Sequence, residues 1–291
     1  MKSWTASART CRGRGLFECA PLSDRRDDRT GLIFAVILPI LFAALLCAPT
    51  SGRAAPEEIV VFADEFEKPG EVGYELHLNY VPSGRRTAEY EGEQPPQGIF
   101  RVMPEVVYGL SEKWNLGLHL PMSYNTHTRS TTVDGFKVRL QYLETHETQT
   151  GRMFYGVNTE YNYLMPRLSE SRSVLELRGI LGWRSQDWLF AVNPILNRPL
   201  NYVPGVDNHV NVDLFAKALR QLRPNLGVGI EHYAELGEVK HMTFGSQSGQ
   251  MTYAVVEFET KSHFDVQLGV GRGWTDPVDK WVFKVMLGLP F

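Results

Sequence analysis

From residue 72 onward, large apolar side chains return at every second position, run after run, with polar residues or glycine between them. Val72, Tyr74, Leu76, Leu78 and Tyr80 alternate with Glu75, His77 and Asn79. Phe136, Val138, Leu140 and Tyr142 alternate with Lys137, Arg139 and Gln141. A period of two puts the apolar set on one face of a β-strand, whereas a helix needs a period near 3.6. Such runs begin near residues 72, 100, 114, 136, 155, 175, 188, 210, 226, 254, 264 and 281, and no amphipathic helical pattern follows residue 55. The alternation predicts an all-β chain of twelve strands, each with one oily face and one mixed face.

Two architectures shelter such a face. A soluble sandwich or small barrel turns it inward; a transmembrane barrel turns it outward to lipid and keeps the mixed face inside. The connections separate the two. Short links at 111–113, 184–187, 220–225 and 259–262, with a longer member at 143–152, alternate with longer polar ones at 81–98, 121–134, 164–173, 197–207, 237–250 and 274–279. Membrane barrels have this asymmetry, with tight periplasmic turns and longer outer loops. Tyr80, Tyr108, Trp114, Tyr142, Tyr163, Trp183, Trp188 and Trp281 fall near strand ends, where an aromatic girdle meets the interface. The prediction is a transmembrane antiparallel up-and-down β-barrel of about 12 strands over residues 71–291.

Mean hydropathy is −0.23, too polar for a helical membrane protein but compatible with strands that show lipid only every second residue. The formal net charge of −3 offers no basic excess for nucleic acid. An apolar run at residues 32–47, preceded by Arg25, Arg26 and Arg29 and followed by Gly52-Arg53-Ala54-Ala55, has the layout of a secretory signal peptide. Residues 1–54 are therefore expected to be removed on export. The long stretch before the apolar run leaves a start downstream of Met1 open. All three cysteines, Cys11, Cys19 and Cys47, leave with it, which excludes thiol chemistry from the remainder. Residues 55–70, acidic and ending in Pro69-Gly70, read as a periplasmic leader into the first strand.

The last run places Phe283, Val285, Leu287, Leu289 and Phe291 on one face and stops on the aromatic residue. It resembles the C-terminal assembly signal of bacterial outer-membrane barrels, which implies the barrel-assembly machinery as a partner during biogenesis. Several stretches, in order along residues 69–291, carry a wider resemblance. They are Tyr108-Gly109-Leu110-Ser111-Glu112-Lys113-Trp114-Asn115-Leu116-Gly117, Asn193-Pro194-Ile195-Leu196, Gly229-Ile230-Glu231-His232-Tyr233, and Leu268-Gly269-Val270-Gly271 running into Thr275-Asp276. Together they resemble the proteobacterial outer-membrane β-barrel family named after the meta-pathway of phenol degradation. Where that family has Gly-Leu-Thr-Asp before the last strand, this chain has Gly273-Trp274-Thr275-Asp276, a change placed at a loop tip. The resemblance implies a Gram-negative outer-membrane barrel with a transport role and supplies no catalytic or ligand residues.

The mixed faces carry the candidate lumen lining: Arg101, Glu105, Lys137, Arg139, Glu160, Glu176, Arg178, Asp213, Lys217, Glu231, Glu257, Asp265 and Lys284. Near-balance of sign in a confined space points to cross-lumen ion pairs, and a slight acidic excess to a weak cation preference. No catalytic residues, metal ligands or cofactor are read. None of the eight histidines is followed two residues later by serine; His127, His146, His209 and His241 fall in loops or at strand ends without close metal-ligand spacing, and His232 and Glu235, three apart, point to opposite faces of a strand. The expected function is passive passage of a small solute, organic solutes included, across the outer membrane. A filled structural barrel anchoring an envelope complex is the alternative, and a lipid-modifying enzyme a more distant one.

Overall fold

The computed structural model describes residues 58–201, 209–260 and 264–289. The expected signal segment, residues 55–57 of the leader and Phe291 lie outside the described residues. Fourteen strand segments follow in order: β1 (Val72–Ser83), β2 (Ile99–Ser111), β3 (Trp114–His119), β4 (Met122–Asn125), β5 (Ser130–Val133), β6 (Gly135–Thr148) and β7 (Gly151–Leu164). Then come β8 (Ser173–Arg184), β9 (Trp188–Pro199), β10 (Asn211–Arg223), β11 (Leu226–Glu238), β12 (Gly249–Glu259), β13 (Asp265–Gly273) and β14 (Trp281–Leu289). β3 and β4 pair in succession with β2, and β6 and β5 pair in turn with β3 and β4. Each of these couples is one crossing, so the fourteen segments make twelve antiparallel crossings. β1 pairs with β2 on one side and β14 on the other, from Tyr74↔Leu289 to Ser83↔Trp281. The sheet is closed, and closure removes the unpaired edges that a flat sheet would expose.

The period-two pattern sorts the faces as expected. Leu118, Leu181, Val256, Leu268 and Phe283 are exposed on the outer wall, while the polar residues between them are buried inside. Aromatic pairs ring both ends of that wall: Tyr80 stacks on Phe100 at 4.1 Å, and Trp114 meets Tyr142 at 5.1 Å. On β14, Trp281, Phe283, Val285, Leu287 and Leu289 share the outward face, whereas Lys284 is buried in the lumen. Lys280, of the same even parity as Lys284, precedes the strand and is exposed.

The barrel has a turn end and a loop end. At the turn end one link is shorter than its composition suggests. Residues 143–152 are not a loop. β6 and β7 continue as a regular ladder to a two-residue turn, with Thr148 Oγ1 donating to Gly151 O at 2.7 Å. The polar run 144–147 lost its oily alternation, the sequence signal for strand, yet backbone pairing needs no apolar face. A second departure lies inside. The lumen is not uniformly polar: Phe154, Ile180, Leu189, Ile195, Phe215 and Tyr253 belong to a buried apolar cluster. What they pack against decides how the barrel works.

Candidate functional site

The leader does not hang below the barrel. Its residues 58–67 enter the lumen, with Ile59, Val61 and Ala63 at the centre of the buried apolar cluster. An extended chain alternates its side chains, so these odd residues meet the oily lumen residues and the backbone is left to find polar partners. It finds them on the wall. Asn193 brackets Phe62, accepting from its N–H at 2.7 Å and donating to its carbonyl at 3.0 Å. Lys284 Nζ donates to Ile59 O at 3.0 Å, and Arg178 to Val60 O at 3.3 Å. The Phe62 ring lies under the guanidinium groups of Arg139 and Arg178, at 4.8 and 4.5 Å. At the turn end Asp64 accepts from Arg184 at 2.6 and 2.8 Å and also from Arg152. From there Gly70 N–H reaches Gly109 O at 2.8 Å and the chain turns into β1.

Around this segment the inward charges form two networks. On β1–β8, Glu105 gathers Arg139 (2.6 Å), His119 (2.9 Å) and His77 (3.3 Å), and Lys137 lies between Glu58 (3.1 Å) and Glu160 (3.4 Å). Arg178 binds its own-strand neighbour Glu176 at 2.8 Å. On β10–β14, Glu231 is shared by Lys284, Lys217 (3.5 Å), Gln267 (3.1 Å) and the Tyr233 hydroxyl (2.6 Å), and Lys217 also pairs with Glu257. Arg101, Glu105, Lys137, Arg139, Glu160, Glu176, Arg178, Asp213, Lys217, Glu231 and Lys284 are all buried in the lumen. Glu257 is partly exposed, and Asp265 is exposed at the turn-end rim. Sequence reasoning missed Glu58 and Asp64, which lie in the supposed leader. The apolar run Ile59-Val60-Val61-Phe62-Ala63 inside that acidic stretch was the available signal.

Small residues make the crossing possible. A Cβ on Gly117 would sit 2.6 Å from Arg139 Cγ, and one on Gly269 2.7 Å from Lys284 Cγ, so these glycines are the floor on which the long cations lie.

At the loop end a cavity of about 330 Å³ opens above the segment. Its lining holds seven carboxylates, among them Glu89, Glu93 and Asp213, against Arg101, Lys137 and Arg178. The link between β1 and β2 reaches over this vestibule. Arg85 donates to Glu93 at 2.8 and 2.5 Å, and Gln94 N–H joins Arg167 O of the neighbouring link at 3.0 Å. Burial alone would push the Glu93 carboxyl up, but the bonds from Arg85 and the Glu89 N–H hold it below the usual carboxylate range. Below the vestibule the lumen is closed. A wet pore leaves its lining accessible, yet His119, Asn158, Asn193 and Glu231 are each 0% exposed.

One polar cluster lies on the outward parity instead. His232 contacts Thr252 Oγ1 at 2.8 Å and Gln250 Oε1 at 2.7 Å, and Trp274 Nε1 donates to the same Thr252 oxygen at 2.9 Å. Both ring nitrogens are engaged and His232 is 2% exposed, so this base cannot meet a substrate as it stands.

The closed twelve-crossing architecture, with its oily outer wall and charged interior, is that of a transmembrane antiparallel β-barrel. Among solved structures the fold is similar to the NanC porin, at 8% identity and a TM-score of 0.52, over 75% of this chain and 100% of that one. It is similar as well to an outer-membrane channel from Pseudomonas putida F1, at 12% identity and a TM-score of 0.52, over 80% of this chain and 100% of that one. No family model matches the sequence, and no curated protein does.

Proposed function

We propose that this protein is an outer-membrane channel for a small solute, held closed by its own N-terminal segment. The observation that carries the reading is residues 58–67 threaded through the lumen on hydrogen bonds and ion pairs, beneath a charged vestibule. The loop end then faces outward and the turn end the periplasm, from which the segment enters. With seven carboxylates against three cations, the vestibule favours cationic or neutral solutes over anions. The two solved structures named above are a porin and a channel, which agrees with passage as the role. Membership of the phenol meta-pathway barrel family, lipid around the wall and help from the assembly machinery belong to the same proposal.

The experiment is planar-bilayer conductance of the intact chain and of a chain lacking residues 58–67. The intact chain is expected to be silent or rarely open. The deleted chain should conduct steadily, with a reversal potential in a KCl gradient that indicates cation preference. A specific observation favours a second reading, a permanently filled structural barrel: Ile59, Val61 and Ala63 are buried to 2–3% exposure, as in a core. A deleted chain that inserts as a folded barrel and stays silent would decide for that reading.

A further inference from the structure

The network on β1–β8 contains a set of atoms that ion pairing does not satisfy. Glu58 Oε1, both oxygens of Glu160 and both nitrogens of His119 are buried and make no hydrogen bond among the described residues. His119 Nε2 lies 2.9 Å from Glu105 Oε1, and Nδ1 lies 3.4 Å from Glu160 Oε2, neither in hydrogen-bond geometry. Lys137 faces Glu58 Oε2 and Glu160 Oε1, so its ion pairs are to one oxygen of each carboxylate. One ligand atom each from Glu58, His119 and Glu160 lie within 4.8 Å of one another. Buried polar atoms that stay unpaired are costly, and a bound cation would satisfy this convergence.

We propose that Glu58, His119 and Glu160 form a binding site for one divalent first-row transition cation of the zinc type, which ties the N-terminal segment to the barrel wall. The donor set is one imidazole and two carboxylates, suited to zinc and its neighbours and short of the all-oxygen shell that magnesium or calcium prefers. Bonds of about 2.0–2.1 Å put ligand atoms roughly 3.3 Å apart in a tetrahedral site, so the three atoms close by up to about 1.5 Å, within reach of carboxylate rotation. The fourth position falls to water from the vestibule, which Glu58 and Lys137 both line. Glu105, against the far nitrogen of His119, takes the place of the carboxylate that orients a metal-bound imidazole. Four carboxylates, Glu58, Glu75, Glu105 and Glu160, stand in this network against the cations Lys137 and Arg139.

Sequence spacing concealed the site. Its ligands come from the leader, β3 and β7, at residues 58, 119 and 160. The inference does not rest on the channel reading, because uptake of a cation by a folded barrel is measured without conductance. The test is calorimetric titration of the folded, metal-stripped protein with Zn²⁺, with Cys11, Cys19 and Cys47 changed to serine so that thiolates cannot contribute. Expected are one zinc per chain, affinity at least tenfold weaker in both H119Q and E58Q, and no change in E89Q, which alters a vestibule carboxylate outside the set. Cobalt(II) in place of zinc should show visible bands of nitrogen and oxygen ligation that vanish in H119Q. E58Q alters no strand residue, so the barrel forms in it whatever H119Q does. Zinc binding undiminished in E58Q overturns the proposal. So does the absence of zinc binding by folded wild-type protein, or equal affinity for Mg²⁺.

Discussion

Asp64 is the latch that holds the N-terminal segment at the turn end, and its removal can be worked through in numbers. Its side chain is 1% exposed and accepts charge-assisted bonds from Arg184 and Arg152, whose own side chains are 31% and 38% exposed. Removing one partner of a fully buried ion pair costs about 3–5 kcal/mol. Here both guanidinium groups can turn to water once the carboxylate is gone, so Asp64→Ala should weaken docking by about 2–3 kcal/mol. At about 1.4 kcal/mol per decade, the undocked-to-docked ratio rises roughly 30- to 150-fold. Asp64→Asn keeps a carbonyl acceptor without the charge, so its effect should be smaller, about tenfold. Single-channel recording reads the change as open fraction. Hydrogen exchange at the Phe62 amide, bonded to Asn193 in the docked segment, reads the same equilibrium without requiring conductance. A folded Asp64→Ala barrel in which neither quantity moves by more than about threefold would refute the latch.

Three further outcomes follow from the same contacts. Lys284→Met leaves the fully buried Glu231 with Lys217 at 3.5 Å as its remaining cation, and should lower barrel stability by about 3 kcal/mol in urea unfolding. Leu177→Arg puts a charge on the lipid-facing wall of β8 and should cost about 2–4 kcal/mol in bilayers, with little effect on the lumen. Because the Glu93 pKa is depressed from its usual 4.5, its tie to Arg85 is complete above that value and is lost as pH falls through the lowered one. Protease cleavage within residues 84–98 should therefore stay constant from about pH 8 to pH 5 and rise only below about pH 4.5, while Glu93→Gln should raise it already at neutral pH.

Strand number, strand parity and the sidedness of the connections were legible in the residues themselves. Each rests on local geometry: an extended chain alternates its faces whatever lies far away, and a tight turn is written in the few residues that make it. That is why Phe283 and Lys284 could be assigned to opposite faces before any fold was known. Where the local signal lapsed, at residues 144–147, the strand was missed although backbone pairing carried it on. The occupancy of the lumen belongs to another order of information. Lys137 meets Glu58 across 79 residues, Asn193 meets Phe62 across 131, and Lys284 meets the Ile59 carbonyl across 225. Nothing in a leader's own composition says which interior it enters, because its partners come together only when the barrel closes. The alternation determined a barrel wall; only closure of that wall decided that its interior is filled by the segment that precedes the first strand.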